Sequence, residues 1–317
     1  MDNLFLVLFL TIGSVVLGLL LQAAFKKKSD TVRKVSKYLK IGTIFFLNPV
    51  SMLISFWTFS LSGKLIIFPF LGISLPVING AFSILLTKKM KIEPSKAASV
   101  FAAGTFSNIQ TFGGLTAFVL YGSDGYSLMM LFNIFISLIT YFIGYPVSGS
   151  IANGGNLRAL LKKTPIRKQL YLFLPLIAFV AGLILNYSGV HRPEVFGTVK
   201  DWIIPISTAS LGISAGLTIN LSKTRRPEKE VLLICLIKFV LSPATMALIC
   251  LAAGMNNVMG GLPMIIAVIA SAMPVGFNAL VPPVVYGFDI DIANSAWVIS
   301  TLFFIVVLSV VFAFTAA

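Results

Sequence analysis

Two stretches of this chain place amides and helix breakers inside apolar runs, where a polar group needs a reason to be. In the first, Asn108, Gln110 and Thr111 precede Gly113-Gly114. In the second, Asn278 stands between Pro274 and Pro282-Pro283. Amide side chains and backbone N–H groups freed by a helix break can hold a carboxylate without a charged partner. The same amides can instead cap broken backbone or join helices, as polar groups in membranes do. Aligned without gaps, residues 110–124 and 275–289 share Phe, Leu, Val and then Tyr-Gly-x-Asp. Paired, interrupted hydrophobic segments at matching places of two halves are the sequence mark of a secondary carrier's binding site.

The helices that must position these residues follow from composition. The chain has 317 residues, 57% hydrophobic and only 11% charged. Apolar runs of about 20 residues recur, the length that crosses a ~30 Å hydrocarbon core. Ten such segments are predicted, at about 4–24, 41–60, 65–87, 97–121, 126–148, 170–187, 202–221, 231–253, 261–286 and 292–314. The fold class is therefore all-α and integral to the membrane. A net charge of +14 would suggest nucleic acid in a soluble protein. Here the basic residues sit between apolar runs, so the bilayer is the partner they indicate and nucleic acid is not.

Those basic residues orient the chain. Loop 1–2 carries Lys26, Lys27, Lys28, Arg33, Lys34, Lys37 and Lys40; loop 3–4 carries Lys88, Lys89, Lys91 and Lys96. Loop 5–6 carries Arg158, Lys162, Lys163, Arg167 and Lys168; loop 7–8 carries Lys223, Arg225, Arg226 and Lys229. The opposite loops hold only Lys64, Arg192 and Lys200. The positive-inside rule puts the four rich loops in the cytoplasm and both termini outside a multi-pass cell membrane protein. The first segment is read as a true helix, because its basic cluster follows it, the wrong flank for a cleaved signal. Division at loop 5–6 gives a first repeat over 1–150, a basic loop over 151–169 and a second repeat over 170–317. Five helices is an odd number, so the second repeat is inverted.

The other polar positions are read in the same frame. Asn48 and Ser51 beside Pro49, and Ser207 beside Pro205, occupy matching places in the second and seventh segments. They line the same cavity or mark plain kinks. Lys238 is the only charged residue well inside a segment, and three readings stay open: it snorkels to the interface, it attracts an anion, or it stands where a cation would otherwise bind. No Asp or Glu lies mid-membrane; Asp124 and Asp289 fall at segment ends. Cys235 and Cys250 lie too far apart along one helix for a disulfide. His191 is a lone histidine, so no metal and no cofactor are expected, and no enzyme or nucleotide-binding signature is present.

These residues resemble the auxin efflux carrier family, whose smaller bacterial members are permeases for organic acids such as malate or malonate. The resemblance covers nearly the whole chain. It rests on Phe46-Leu47-Asn48-Pro49, Asn108 with Phe112-Gly113 and Tyr121-Gly122, Ser210-Leu211-Gly212, Lys238 with Pro243, and Met273-Pro274-x-x-x-Asn278 with Tyr286-Gly287. The family's fourth-helix proline has no counterpart here, so the break in that segment is expected at Gly113-Gly114. The resemblance implies that the fourth and ninth helices cross at their breaks and that the substrate binds beside the crossing. It also implies a mobile panel moving against a scaffold that often dimerises, so a homodimer is left open. The function implied is alternating-access transport of a small mono- or dicarboxylate. The alternatives are a sodium-coupled organic-acid symporter of the bile-acid carrier type and a non-transporting membrane sensor or scaffold. Substrate, direction and coupling ion are not set by the sequence.

Overall fold

The computed structural model describes residues 2–25, 29–61, 63–155, 157, 160, 171–218 and 228–315. The predicted basic positions Lys26 to Lys28, Arg158, Lys162, Lys163, Arg167, Lys168, Lys223, Arg225 and Arg226 lie outside them, as does most of the 151–169 loop. Among the described residues there is no β-strand. The sole extended pairing is an isolated antiparallel bridge between Ser107 and Val275. Everything else that is regular among these residues is helix, and six of their helical runs are long and apolar enough to cross a membrane.

In chain order, α1 covers 2–24 and α2 covers 29–58. Each contains one π-helical turn, Phe9–Gly13 and Thr43–Leu47. α3 is Phe68–Lys89 and α4 is Pro94–Thr105. α5 runs over 109–133 and bends at Gly122, whose φ of 61° is open to glycine without strain. α6 covers 136–153, α7 is Leu174–Tyr187 and α8 is Glu194–Gly216. α9 covers 229–252, with a π-turn at Ile237–Leu241. α10 is Leu262–Ser271, α11 is Val281–Tyr286 and α12 is Ile290–Thr315.

α2 departs from expectation. Residues 29–40, predicted as loop, are helical. Val32 and Ser36, four residues apart, are buried, while Arg33, Lys34 and Lys37 are exposed. A one-sided helix of this kind carries too little mean hydropathy to register as a span. Ser36 fixes the buried face by hydrogen-bonding the Ser214 carbonyl at 3.0 Å, with the two hydroxyls 2.7 Å apart.

Small residues set the packing. A Cβ on Gly216 would strike the Val15 carbonyl and come within 2.8 Å of the Gly18 Cα. A Cβ on Gly18 would likewise strike the Ile213 carbonyl. α1 and α8 therefore touch backbone to backbone, the contact that small residues allow in membranes. α2 lies on α7 in the same way, with Gly182 against the Leu53 carbonyl and Asn186 donating to the Trp57 carbonyl at 2.8 Å. α1, α2, α7 and α8 thus form one packed group. α3, α4, α6, α9, α10 and α12 form another, and α5 lies between them.

Lys96 at the start of α4 pairs with Glu228 at 3.1 Å, and with Glu230 at 3.9 Å in the first turn of α9. The hydrogen bond to Glu228, and the Glu230 charge beside it, hold the Lys96 ammonium above the usual lysine range. The half-open position makes this a weak stabiliser.

Candidate functional site

The site forms where two interrupted segments meet. α4 stops at Thr105, and Phe106 is extended with φ −93° and ψ 120°. α10 stops at Ser271, and Gly276 is extended with φ −78° and ψ 153°. The two extended pieces run antiparallel and exchange two backbone hydrogen bonds. Asn108 N–H donates to the Pro274 carbonyl at 2.9 Å, and Gly276 N–H donates to the Phe106 carbonyl at 2.9 Å. Each break leaves backbone groups that water cannot reach in hydrocarbon, and each supplies partners for the other. A third orphan, Val275 N–H, donates to the Ser300 hydroxyl at 3.1 Å. Position 276 requires glycine, since a Cβ there would come within 2.9 Å of the Ser107 carbonyl.

The expected break at Gly113-Gly114 is not where the chain opens. Gly113 closes a π-helical turn, Ile109–Gly113, and both glycines have helical dihedrals. Their work is close packing: a Cβ on Gly113 would lie 3.3 Å from the Met129 sulfur, and one on Gly114 3.0 Å from the Met130 methyl. The interruption lies upstream at Phe106–Asn108, which holds no breaker residue; the facing strand-like segment holds it open instead. In the second segment Pro274 stands within the break. Pro282 sits in the first turn of α11, where a proline costs no hydrogen bond.

A cavity of about 270 Å³ opens beside the crossing. Asn108, Gln110, Thr111 and Asn278 all line it, so three neighbouring predicted residues of the first segment meet the predicted amide of the second. Asn108 is buried and its amide nitrogen has no partner; the Asn278 amide oxygen has none either. Half a turn about the last side-chain torsion exchanges oxygen and nitrogen of such an amide within the same volume. Tyr145 donates its hydroxyl to the Asn278 carbonyl at 2.8 Å and so fixes the backbone that carries that amide.

Asn48 and Ser207 do not reach this cavity. They line a second space, just large enough for one water, which shares Gln110, Thr111 and Leu211 with the first. Ser51 lies behind it, 2.8 Å from the Tyr126 hydroxyl. Lys238 lines neither space. It has no exposed surface, and its ammonium donates to the Ser107 hydroxyl at 2.6 Å. That overturns the snorkelling reading, because the side chain points to the break and not to an interface.

Residues missed in the sequence complete the wall: Lys40, Asn133, Ser137, Thr140, Tyr141 and Tyr171. The charge pattern alone assigns Lys40 to a loop. Its signal lay in the stripe Lys40, Ile44 and Asn48, four residues apart on one helix face. None of the cavity's lining residues is acidic, and among the described residues no cluster of His, Cys, Asp and Glu could hold a metal.

No family model matches the chain. Over 258 residues it is 24% identical to a protein of Methanothermobacter thermautotrophicus described as an uncharacterized transporter, an alignment covering 80% of this chain and 80% of that one.

Proposed function

We propose that this chain is a secondary carrier that moves a small organic anion, a mono- or dicarboxylate, across the cell membrane by alternating access. The observation that carries the reading is the meeting of two interrupted helices, which sets Asn108 and Asn278 with unused hydrogen-bonding capacity in the wall of one cavity. The likeness to a protein described as a transporter supports transport in general. The cavity is smaller than the roughly 300–1,000 Å³ of sites for drug-sized molecules, which suits a compact metabolite.

In this reading the helices form ten spans in two inverted repeats. Support comes from the aligned pair Gly122 and Gly287, which follow Tyr121 and Tyr286 and both take positive φ, 61° and 71°. The cavity runs from the crossing toward the start of the second and sixth spans, where Lys40 and Tyr171 stand. The charge asymmetry puts those ends on the cytoplasmic side, and the reading takes this arrangement as the inward-facing form. Export of one negative charge then gains about 2.3 kcal/mol per 100 mV of inside-negative potential.

The test is uptake of radiolabelled malonate or malate into proteoliposomes holding the full chain, with and without sodium and proton gradients. Saturable uptake that ignores sodium supports the carrier proposed. Uptake that requires sodium replaces it with a symporter. Absence of uptake across a panel of small carboxylates, with binding retained, indicates a sensor.

A further inference from the structure

Among the described residues that line the cavity, one is charged at neutral pH, Lys40. It lies in the last turn of the helical stretch Ser29–Gly42, directly before the π-turn Thr43–Leu47. Lys40, Ile44 and Asn48 follow at intervals of four, so they form a stripe along one face of α2. Lys40 and Ile44 line the large cavity and Asn48 the small one next to it. At ~1.5 Å rise per residue the stripe is about 12 Å long between Lys40 and Asn48. Lys40 therefore stands about two turns along α2 from Asn48 and enters the cavity from a different helix than the amides of the crossing.

Lys40 is half-buried, whereas Lys37 one turn earlier is exposed. Among the described residues the ion pairs of lysine are those of Lys96, and Lys40 has no acidic partner. A half-buried ammonium facing a cavity without acids is not offset by a neighbour, and low-dielectric walls strengthen its field.

We infer that Lys40 is the charge-recognition residue of the cavity: it draws an anion in and holds its negative group while the amides of the crossing hold the rest of the molecule. This rests on the organic-anion reading above and adds to it the residue that selects charge. It also distinguishes two of the described lysines: Lys238 is spent on Ser107, whereas Lys40 lines the cavity and is available to a ligand.

The experiment separates the charge of the cavity from the identity of the substrate. Ser137, a half-buried cavity residue, is changed to cysteine in the full chain lacking Cys235 and Cys250. Its reaction rates with an anionic and a neutral methanethiosulfonate reagent are compared in membranes open to both faces. With Lys40 present the anionic reagent is favoured. Lys40→Gln should lower the anionic-to-neutral ratio by about tenfold, Lys40→Arg should keep it, and Lys37→Gln should leave it unchanged. In proteoliposomes Lys40→Gln should raise the malonate KM at least tenfold, with added salt affecting the wild type more than the variant. A ratio unchanged by Lys40→Gln overturns the inference. So does a fall of equal size in Lys37→Gln, which would indicate only a general surface charge. If the ratio falls as expected but no carboxylate is taken up, the organic-anion reading fails and the assignment of the cavity's charge stands.

Discussion

The Lys238 ammonium and the Ser107 hydroxyl are 2.6 Å apart; the lysine has no solvent exposure, and Ser107 is one residue from Asn108 in the cavity wall. The lysine thus reaches from the π-turn of α9 to the break after α4. Two effects oppose each other in Lys238→Met. The lost hydrogen bond from a charged donor costs about 1.5–3 kcal/mol. Removal of a buried charge returns several kcal/mol of desolvation penalty. The variant should therefore melt at or above the wild-type temperature in detergent, while malonate uptake falls tenfold or more because Ser107 is no longer held. Wild-type uptake in a well-folded Met variant would show the tether to be dispensable.

Asn278→Ala removes an amide whose oxygen has no protein partner. Nothing in the fold loses a hydrogen bond to that side-chain atom, so expression and melting should change little. Loss of a direct bond to a carboxylate should weaken binding by about 1.5–3 kcal/mol, roughly ten- to a hundredfold. Isothermal titration of the purified protein with malonate reads this directly, and equal affinities would remove Asn278 from the binding set.

Tyr145→Phe deletes one hydroxyl that holds the Asn278 backbone. A neutral hydrogen bond is worth about 0.5–1.5 kcal/mol, so affinity should fall about two- to tenfold, less than for Asn278→Ala. Because the tyrosine acts through the asparagine, the double variant should be little worse than Asn278→Ala alone. Additive losses would mean that Tyr145 acts by another route.

Gly216→Ala tests the contact between α1 and α8. The new methyl meets backbone, which cannot swing aside, so overpacking should cost about 1–3 kcal/mol and lower the melting temperature. Gly42→Ala is the matched control, since a Cβ there meets nothing within 4 Å in a helical position, and should be neutral or slightly stabilising.

Topology is open to labelling. Single cysteines at Lys162 and Ala317, in a chain without Cys235 and Cys250, should react with an impermeant reagent from opposite faces of the membrane. Reaction of both from outside would mean that the number of spans between them is even and the inverted arrangement is wrong.

Hydropathy predicted an apolar, all-helical chain, and six runs among the described residues are long and apolar enough to cross a membrane, because length and composition are what it reads. It also found the second interruption, where Pro274 disrupts the helix locally. The first interruption was misplaced by several residues. Phe106, Ser107 and Asn108 carry no local signal; their extended backbone is held by Pro274 and Gly276, more than 160 residues away. Lys238 was seen as unusual, but its partner lies on another helix and no spacing rule links them. Lys40 was hidden by a different limit. Counting charge between apolar runs treats every lysine there as solvated loop, and α2 extends through that region with its buried face set by Ser36 and Ser214.

The bonds from Asn108 to Pro274 and from Gly276 to Phe106 also restrict motion. In hydrocarbon a parted N–H finds no water, and each such loss costs several kcal/mol. Sliding one tip past the other would forfeit two at once. The tips are in effect welded, so a rearrangement that carries the amide wall must carry both halves as a single block. In the carrier proposed, what opens and shuts is then the seam between that block and α1, α2, α7 and α8, and the hinges fall in the connecting turns and not at the centre.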